Sequence, residues 1–142
     1  MRKAILSITL ASIILLCSCG SRLDEPLPSN ASAFEYATFE NPVDPNDTYN
    51  SISYNGRCYI PYGSGKTSDS EYGECLGYIV QDGEEKPDER VYPINDDPDV
   101  NYLVIMDKGF MSQHYYLRDI STKGKKIYTP DFITDLEYDY WK

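Results

Sequence analysis

Positive charge is scarce in this sequence. Its 142 residues include 13 Lys and Arg against 23 Asp and Glu, which gives a formal net charge of −10 at pH 7. An acidic surface repels the phosphates of nucleic acids and anionic lipid headgroups. We therefore expect no nucleic-acid partner and no peripheral membrane-binding face. Solubility alone is the simpler interpretation of this charge.

Residues that bind metals or perform catalysis are also few. His114 is the only histidine. Together with Cys58 and Cys75 it lacks the spacing of a zinc site, so we expect no metal and no cofactor. No nucleophile or orienting acid stands beside His114, so we expect an ordinary strand histidine at a surface or rim. No carboxyl stands alone in an apolar strand, where its pKa would be raised.

Two ligand-binding motifs begin in the sequence but are not completed. Residues 63–67 read Gly-Ser-Gly-Lys-Thr, but a phosphate-binding loop requires glycine at position 60, where Ile60 stands. Residues 97–101 carry alternating oxygen ligands, but the Gly and Glu that an EF-hand requires do not follow. We expect a solvent loop at the first motif and an acidic turn at the second.

The sequence lacks an apolar run of membrane-spanning length. Residues 4–16 form an uncharged stretch of thirteen residues, whereas a spanning helix needs roughly 20. This stretch follows Arg2 and Lys3, as the h-region of a signal peptide follows its basic n-region. We expect residues 1–18 to be a signal peptide that is removed on export.

Residues 16–19 read Leu-Cys-Ser-Cys and resemble the lipobox of bacterial lipoproteins. That pattern has an aliphatic residue three positions before a cysteine and a small residue directly before it. Leu16 and Ser18 meet both demands for Cys19, although Cys17 at the middle position is a mild departure. The resemblance covers residues 1–19 only, and implies lipidation of Cys19 and an anchor on the outer face of a bacterial membrane. An ordinary secretory signal, cut nearby, is the alternative.

The mature chain is predicted to be a tether followed by one domain. Residues 19–32 are rich in proline and small polar residues, as expected for a lipidated tether, and residues 33–142 form a single β domain. If Cys19 carries lipid, Cys58 and Cys75 remain as an even pair. In an exported protein such a pair predicts a disulfide, and two buried free thiols are the alternative.

Short β-favouring runs separated by turn formers predict an all-β domain with minor α content. We expect a single small antiparallel barrel, roll or sandwich of about seven or eight short strands. Residues 102–106 are the most apolar run of the mature chain and predict a central strand buried on both faces. Thr129 and Pro130 predict the start of one short C-terminal helix, which ends near Asp135.

The clearest local signal is the Asn-Gly pair at residues 55–56. It lies between two β-favouring runs, residues 48–54 and 57–62, and suits a type I′ hairpin turn. Such a turn pairs Tyr54 with Arg57. By contrast, the proline-containing residues 41–47 and the charged residues 82–89 predict a loop and a turn.

The C-terminal residues 135–141 are both acidic and aromatic. Tyr138, Tyr140 and Trp141 are therefore candidate anchors for a basic partner. An edge strand that packs on one face and is charged on the other is the simpler alternative.

These observations favour a non-enzymatic, envelope-anchored lipoprotein that binds a protein, a glycan or another envelope component. Two further hypotheses remain open. The acidic composition also suits an inhibitor or immunity-type protein that neutralises a basic partner. A small envelope hydrolase that uses His114 is the third.

Overall fold

The computed structural model describes residues 21–110 and 114–142, so the predicted signal peptide, lipobox and Cys19 lie outside the described residues. The strands are β1 (Ser32–Glu35), β2 (Ala37–Asn41), β3 (Asp44–Tyr54), β4 (Arg57–Gly65), β5 (Gly77–Gln81), β6 (Glu84–Pro93), β7 (Tyr102–Asp107), β8 (His114–Asp119) and β9 (Thr134–Asp135). Single-turn 3-10 helices are present at Arg22–Asp24, Asp69–Glu71, Lys108–Phe110, Ile120–Thr122 and Asp139–Trp141.

All described strands belong to one sheet, with the order β1-β5-β6-β7-β8-β4-β3-β2 and with β9 paired to β4. The fold is therefore mostly β, as predicted. The expectation of a purely antiparallel sheet is wrong, because β1 pairs with β5 in parallel. A Cβ atom on Gly77 would lie 1.9 Å from the Ser32 carbonyl oxygen. The two strands thus approach closely because residue 77 is glycine.

The sheet is curled into a half-barrel. β1 and β3 lie near opposite ends of the strand order, yet the rings of Phe34 and Tyr54 are 6.2 Å apart. Side chains on the concave face of the curl form the inner core, which consists of Phe34, Ile52, Tyr59, Ile79, Val91, Leu103, Ile105 and Leu117.

The convex face is covered as well, and β7 lies between two apolar layers. Leu103 and Ile105 belong to the inner core. Tyr102, Val104 and Met106 belong to the outer core, where they pack with Leu23, Tyr62, Tyr72, Tyr92, Ile94, Tyr116 and Ile133. Every side chain from residue 102 to residue 106 is buried, which confirms the predicted central strand.

The hairpin at residues 55–56 is confirmed. Tyr54 pairs with Arg57, and Asn55 and Gly56 have φ angles of 49° and 74°, as a type I′ turn requires. A second hairpin of this kind was not predicted. Within residues 82–89 only Asp82 and Gly83 turn, with φ angles of 53° and 79°, and β6 begins at Glu84.

Two other boundaries differ from the prediction. The predicted loop at residues 41–47 is a tight turn followed by β3, which begins at Asp44 and contains Pro45. Pro45 is tolerated because this part of β3 belongs to the hairpin at the edge of the sheet. Residues 63–65, assigned to a loop, continue β4 to Gly65.

The predicted helix at residues 129–135 does not form. The Thr129 hydroxyl hydrogen-bonds to the Tyr102 hydroxyl at 2.6 Å instead of capping a helix. Ile133 N–H donates to the carbonyl of Pro130 in a turn, and β9 then pairs with β4. Tertiary pairing with β4 outweighs the local helix signal at this site.

Part of the predicted tether belongs to the folded domain. Leu23 is buried in the outer core. The Arg22 guanidinium donates hydrogen bonds to the carbonyls of Asp69, Tyr72 and Gly73. Arg22 and Leu23 therefore hold this part of the predicted tether against the convex side of the fold. None of the described residues forms a helix with the length and apolar character that crossing a bilayer takes.

Candidate functional site

A cleft of about 240 Å³ opens beside the inner core, and tyrosines and carboxylates dominate its polar surface. We call it the tyrosine cleft. Ile105 and Leu117 belong both to the cleft and to the inner core, so the two are continuous. The lining consists of Tyr36, Asn50, Pro61, Gly63, Glu89, Ile105, Asp107, Tyr115, Tyr116, Leu117 and Tyr138.

The two carboxylates of the cleft come from neighbouring strands. Glu89 in β6 stands directly opposite Asp107 in β7. Strand alternation places Glu89 on the same face as Val91, and Asp107 on the same face as Ile105. Because Val91 and Ile105 belong to the inner core, both acids point to the concave side of the sheet. Directly opposed side chains have Cβ atoms about 5 Å apart, so the two charges repel each other.

This environment changes the acid–base properties of the cleft. Burial, followed by repulsion from Asp107, raises the pKa of Glu89, and Lys86 opposes the shift. Burial and the charges of Glu89 and Asp107 raise the pKa of Tyr36 to about 12. Burial is the larger cause of both shifts, and the smaller cause, repulsion between the acidic groups, is the part that a cation in the cleft would relieve.

No lysine, arginine or histidine lines the cleft within the described part of the chain. The nearby Lys108 is paired with Asp24 at 3.0 Å, outside the lining. One oxygen of Asp107 accepts the Gly109 N–H at 2.8 Å, which orients that carboxylate. The cleft therefore combines aromatic rings with carboxylates that lack a cation among its lining residues. Rings and carboxylates together suit an ammonium or guanidinium group.

The three C-terminal aromatic residues have different positions. Tyr138 lines the cleft, and its ring packs edge-on against Tyr49 at 5.6 Å. Tyr140 is buried against Phe39 at a ring distance of 5.1 Å. Trp141 is half-buried, and its indole N–H donates to the Pro61 carbonyl at 2.7 Å. Thus only Tyr138 of the three contributes to the cleft, and the other two hold the C-terminus on the sheet.

His114 is not a surface residue, contrary to the prediction, although it lines a second cavity of about 240 Å³ together with Ser21 and Asp69. It is buried, and its Nδ1 lies 2.5 Å from the Tyr72 hydroxyl, which also contacts the Tyr116 hydroxyl at 2.6 Å. Burial lowers the pKa of His114, although Asp69 opposes the shift. Among residues 21–110 and 114–142, no serine hydroxyl and no cysteine thiol forms a hydrogen bond with His114. The three rings form a structural network of the outer core.

The predicted disulfide between Cys58 and Cys75 is absent, since both are free thiols. Cys58 lies in β4 and packs near Ile60 and Tyr140, whereas Cys75 precedes β5 and packs on the outer core. The strand order places β6, β7 and β8 between β5 and β4. The two thiols therefore belong to separate clusters, and even spacing in the sequence does not bring them together.

The incomplete motifs do not form ligand sites. Residues 63–65 lie in β4 and are followed only by the single-turn 3-10 helix Asp69–Glu71, which begins four residues after Gly65 and is capped by the Ser68 side chain. A phosphate-binding loop instead leads directly into an α-helix. Asp97 accepts the Tyr102 N–H at 2.7 Å and an Asn101 amide hydrogen, as expected for an acidic turn that caps its own backbone. Within the described ranges, no three acidic, His or Cys side chains are arranged to bind a metal.

Comparison of the chain with family models, curated proteins and solved structures finds no match.

Proposed function

We propose that the protein is an exported, lipid-anchored binding protein whose tyrosine cleft receives a Lys or Arg side chain of a partner. The observation that carries this proposal is the pairing of Glu89 with Asp107 inside an aromatic cleft that no basic residue lines in the part of the chain that the structure describes. A guanidinium or ammonium group would relieve the repulsion between the carboxylates and would lie against tyrosine rings.

The size of the cleft supports a side chain rather than a large ligand. Sites for drug-sized molecules occupy roughly 300–1,000 Å³, and this cleft has about 240 Å³. The remaining affinity for a partner would come from the surrounding acidic surface. Without Arg2 and Lys3 the chain has 11 basic and 23 acidic residues, which leaves a net charge of −12.

The location of the partner follows from the lipobox resemblance. Cleavage before Cys19 and lipid on its sulfur would place the β domain on the outer face of a bacterial membrane. The partner would then be a protein or another component of the cell envelope. Mass spectrometry of the membrane fraction tests this part of the proposal. The expected N-terminal peptide begins at a diacylated Cys19, and an unprocessed Met1 in the cytosolic fraction would contradict it.

An inhibitor or immunity-type role is the second candidate, and the same charge and cleft support it. In that case the basic side chain in the cleft belongs to a toxin or hydrolase and is needed for its activity. Loss of that activity on binding distinguishes this role from simple attachment. His114 gives no support to the hydrolase alternative, because it is buried and bonded to Tyr72.

Site-specific photo-crosslinking in cells tests the binding role. A photoreactive phenylalanine analogue replaces Tyr138 in the cleft, and a matched analogue replaces the exposed Tyr128 outside it. We expect an adduct from position 138 only, on a partner peptide that contains Lys or Arg, and its loss in the Glu89→Gln variant. Equal adducts from both positions, or an adduct that survives Glu89→Gln, would contradict the proposal.

A further inference from the structure

The N-terminal segment is bound to the fold as far as its first described residues. The Arg22 guanidinium donates three hydrogen bonds of 2.7–3.1 Å to main-chain carbonyls of residues 69–73. Leu23 is 4% exposed in the outer core, and its N–H donates to the Ser21 hydroxyl at 3.3 Å. Asp24 pairs with Lys108 at 3.0 Å, although an exposed ion pair contributes little. Residues 21–24 therefore belong to the folded domain and do not act as a free spacer.

The proposed lipid site, Cys19, is only two residues before Ser21. An extended chain spans at most about 3.6 Å per residue, so the Cα atoms of these two residues lie within about 7 Å of each other. If residues 19–32 formed a flexible tether instead, the ends of this tether would be separated by roughly 20 Å on average. Lipid on Cys19 would therefore hold the domain directly at the bilayer surface, with the part nearest Ser21 towards the bilayer.

Ser21 lies near one end of the sheet. It lines the cavity beside His114, and Asp107 lines the same cavity. Asp107 is the last residue of β7, and His114 is the first residue of β8. The turn at residues 55–56 lies at the opposite end, because β4 is antiparallel to β8 and its first residues lie beside Asp119, the last residue of β8. We call the end of the sheet with Asp107 and His114 the anchored end.

The carboxylates of the tyrosine cleft lie at the anchored end as well. Asp107 lines both the cleft and the cavity that Ser21 lines. Glu89, the other carboxylate of the cleft, stands opposite Asp107 in the ladder between β6 and β7. One small cavity thus separates the acidic part of the cleft from Ser21. A domain that is anchored through Cys19 would present this part of the cleft close to the bilayer surface.

We propose that the anchored end faces the bilayer, and that the basic side chain received by the tyrosine cleft belongs to a protein of the same membrane. This inference rests on the lipid on Cys19 and on the cationic partner of the proposed function. A protein that spans the same membrane, or is anchored in it, presents its residues at a fixed height above the bilayer. Confinement of both proteins to one membrane also raises their effective concentration. The acidic surface has no attraction of its own for anionic headgroups, so the lipid is what holds the domain there.

Paramagnetic NMR tests the orientation of the domain. The processed protein is purified from membranes, and its mass is measured to detect lipid on Cys19. It is then placed in phosphatidylcholine nanodiscs that contain a gadolinium-chelating lipid, and lanthanum replaces gadolinium in the reference sample. The relaxation enhancement by gadolinium falls steeply with distance from the headgroups. We expect this enhancement to be at least tenfold larger at the Asp24 amide than at the Asn55 amide.

The matched control variant carries a ten-residue Gly-Ser insertion between Gly20 and Ser21. The insertion adds a flexible spacer of roughly 17 Å, so the ratio of the enhancements at Asp24 and Asn55 should fall at least threefold. Equal enhancement at both amides of the lipidated protein without the insertion would overturn the orientation, but it would not affect the cationic site of the proposed function. A processed chain without lipid on Cys19 would refute the anchor itself and this inference with it.

The membrane location of the partner is tested with the photo-adduct that is expected at position 138. The partner is identified from its cross-linked peptide and is then followed in cells that lack this protein. We expect the partner to remain in membranes that are washed with alkaline carbonate. Release of the partner by this wash would overturn the inference that it belongs to the membrane. Absence of any adduct at position 138 would instead refute the proposed binding role, and the inferred partner with it.

Discussion

Glu89 and Asp107 face each other across the ladder between β6 and β7, on the concave side of the sheet. Like charges in directly opposed positions destabilise a sheet. The protein without a ligand would be more stable if one of the two carboxyl groups were neutral. A cation between them would relieve this repulsion, and this relation between Glu89 and Asp107 is the physical basis of the proposed binding site.

Neutralising Glu89 should therefore stabilise the free protein. We expect Glu89→Gln to raise the free energy of unfolding at pH 7 by about 0.2–1 kcal/mol, the range for cross-strand pairs. Because the pKa of Glu89 is raised in the folded state, its ionised form opposes folding above that pKa. The gain should thus shrink as the pH falls through the raised pKa and disappear below the ordinary value of 4.5.

Urea denaturation of both proteins at several pH values measures this effect. Glu84→Gln is the matched control, because Glu84 is exposed at the start of β6. A Glu89→Gln variant that is less stable than the unmodified protein at pH 7 would contradict the proposed repulsion.

Asp119 should be an important electrostatic contributor to stability. It is 1% exposed, pairs with Arg57 at 2.6 Å, and accepts the Ser121 N–H at 2.9 Å. Burial raises its pKa, but the Ser121 hydrogen bonds and Arg57 outweigh burial and lower it overall. We expect Asp119→Asn to reduce the free energy of unfolding by about 1.5–3 kcal/mol, as for hydrogen bonds to charged groups.

The contribution of Asp119 to the free energy of unfolding depends on pH with the opposite sign to that of Glu89. The contribution of Asp119 is present above its ordinary pKa of 3.8 and is lost as the pH falls through its lower folded value. Asp139→Asn is the control in thermal melts, since Asp139 is 74% exposed in its pair with Lys142. Equal destabilisation by the two variants would refute the assigned role of Asp119.

Removing one hydroxyl from the buried network of Tyr72, His114 and Tyr116 should lower the free energy of unfolding. Tyr72→Phe leaves both the His114 Nδ1 and the Tyr116 hydroxyl without their partner. An unsatisfied buried polar group costs about 1–3 kcal/mol, so we expect a loss of stability in that range. Chemical denaturation measures it, and Tyr128→Phe at an exposed tyrosine should have no effect.

His114 should also make stability depend on pH in the mildly acidic range. Burial lowers its folded pKa below the ordinary 6.5. The unfolded chain therefore takes up a proton before the folded protein does, and stability falls as the pH drops below 6.5. His114→Gln should flatten this part of the stability profile. A profile that is identical in the two proteins would contradict a buried, neutral His114.

Both cysteines of the β domain should be recovered as thiols. A thiol assay in denaturant without reductant is expected to titrate Cys58 and Cys75, because both are free in the fold. In the native protein Cys58 should react slowly, since burial raises its pKa while Ser51 opposes the shift. A non-reduced peptide that contains residues 58 and 75 joined, with the mass of a disulfide, would contradict the structure.

Local signals predicted those parts of the fold that depend on neighbouring residues. The turn at Asn55 and Gly56 has its predicted register, because positive φ angles there are a local requirement. The central strand was also predicted correctly from residues 102–106. A strand that is apolar at every position is expected where both faces of the sheet are covered.

The errors arose where distant residues decide the conformation. Thr129 could not be recognised as a partner of Tyr102, and β9 depends on pairing with β4. The parallel ladder between β1 and β5 joins strands that are far apart in the sequence. No short-range pattern predicts such contacts, and the same limitation led to the predicted disulfide between Cys58 and Cys75.

The candidate site was missed for a related reason. Residues 82–89 are so rich in charge that they indicated a turn, and Glu89 was assigned to it. The Asp-Gly pair at residues 82–83 was the available signal, since it suits the same two-residue turn as Asn-Gly. If a strand had been predicted from residue 84 onwards, strand alternation would have placed Glu89 on the same face of the sheet as Val91. Asp107 could not have been added to the candidate site without the register between β6 and β7, which pairs it with Glu89. Tyr36 could not have been added because only the fold of the whole sheet brings it to the cleft.

The most direct test of the cationic site is an NMR titration of the purified protein with two short peptides. One is Gly-Arg-Gly, and the other carries citrulline, which has nearly the same shape without the charge. The account predicts saturable shifts at Tyr36, Glu89 and Tyr138 with the arginine peptide only, and at least tenfold weaker binding by Glu89→Gln. Equal shifts with both peptides, or unchanged binding by Glu89→Gln, would contradict the tyrosine cleft as a site for a cationic side chain.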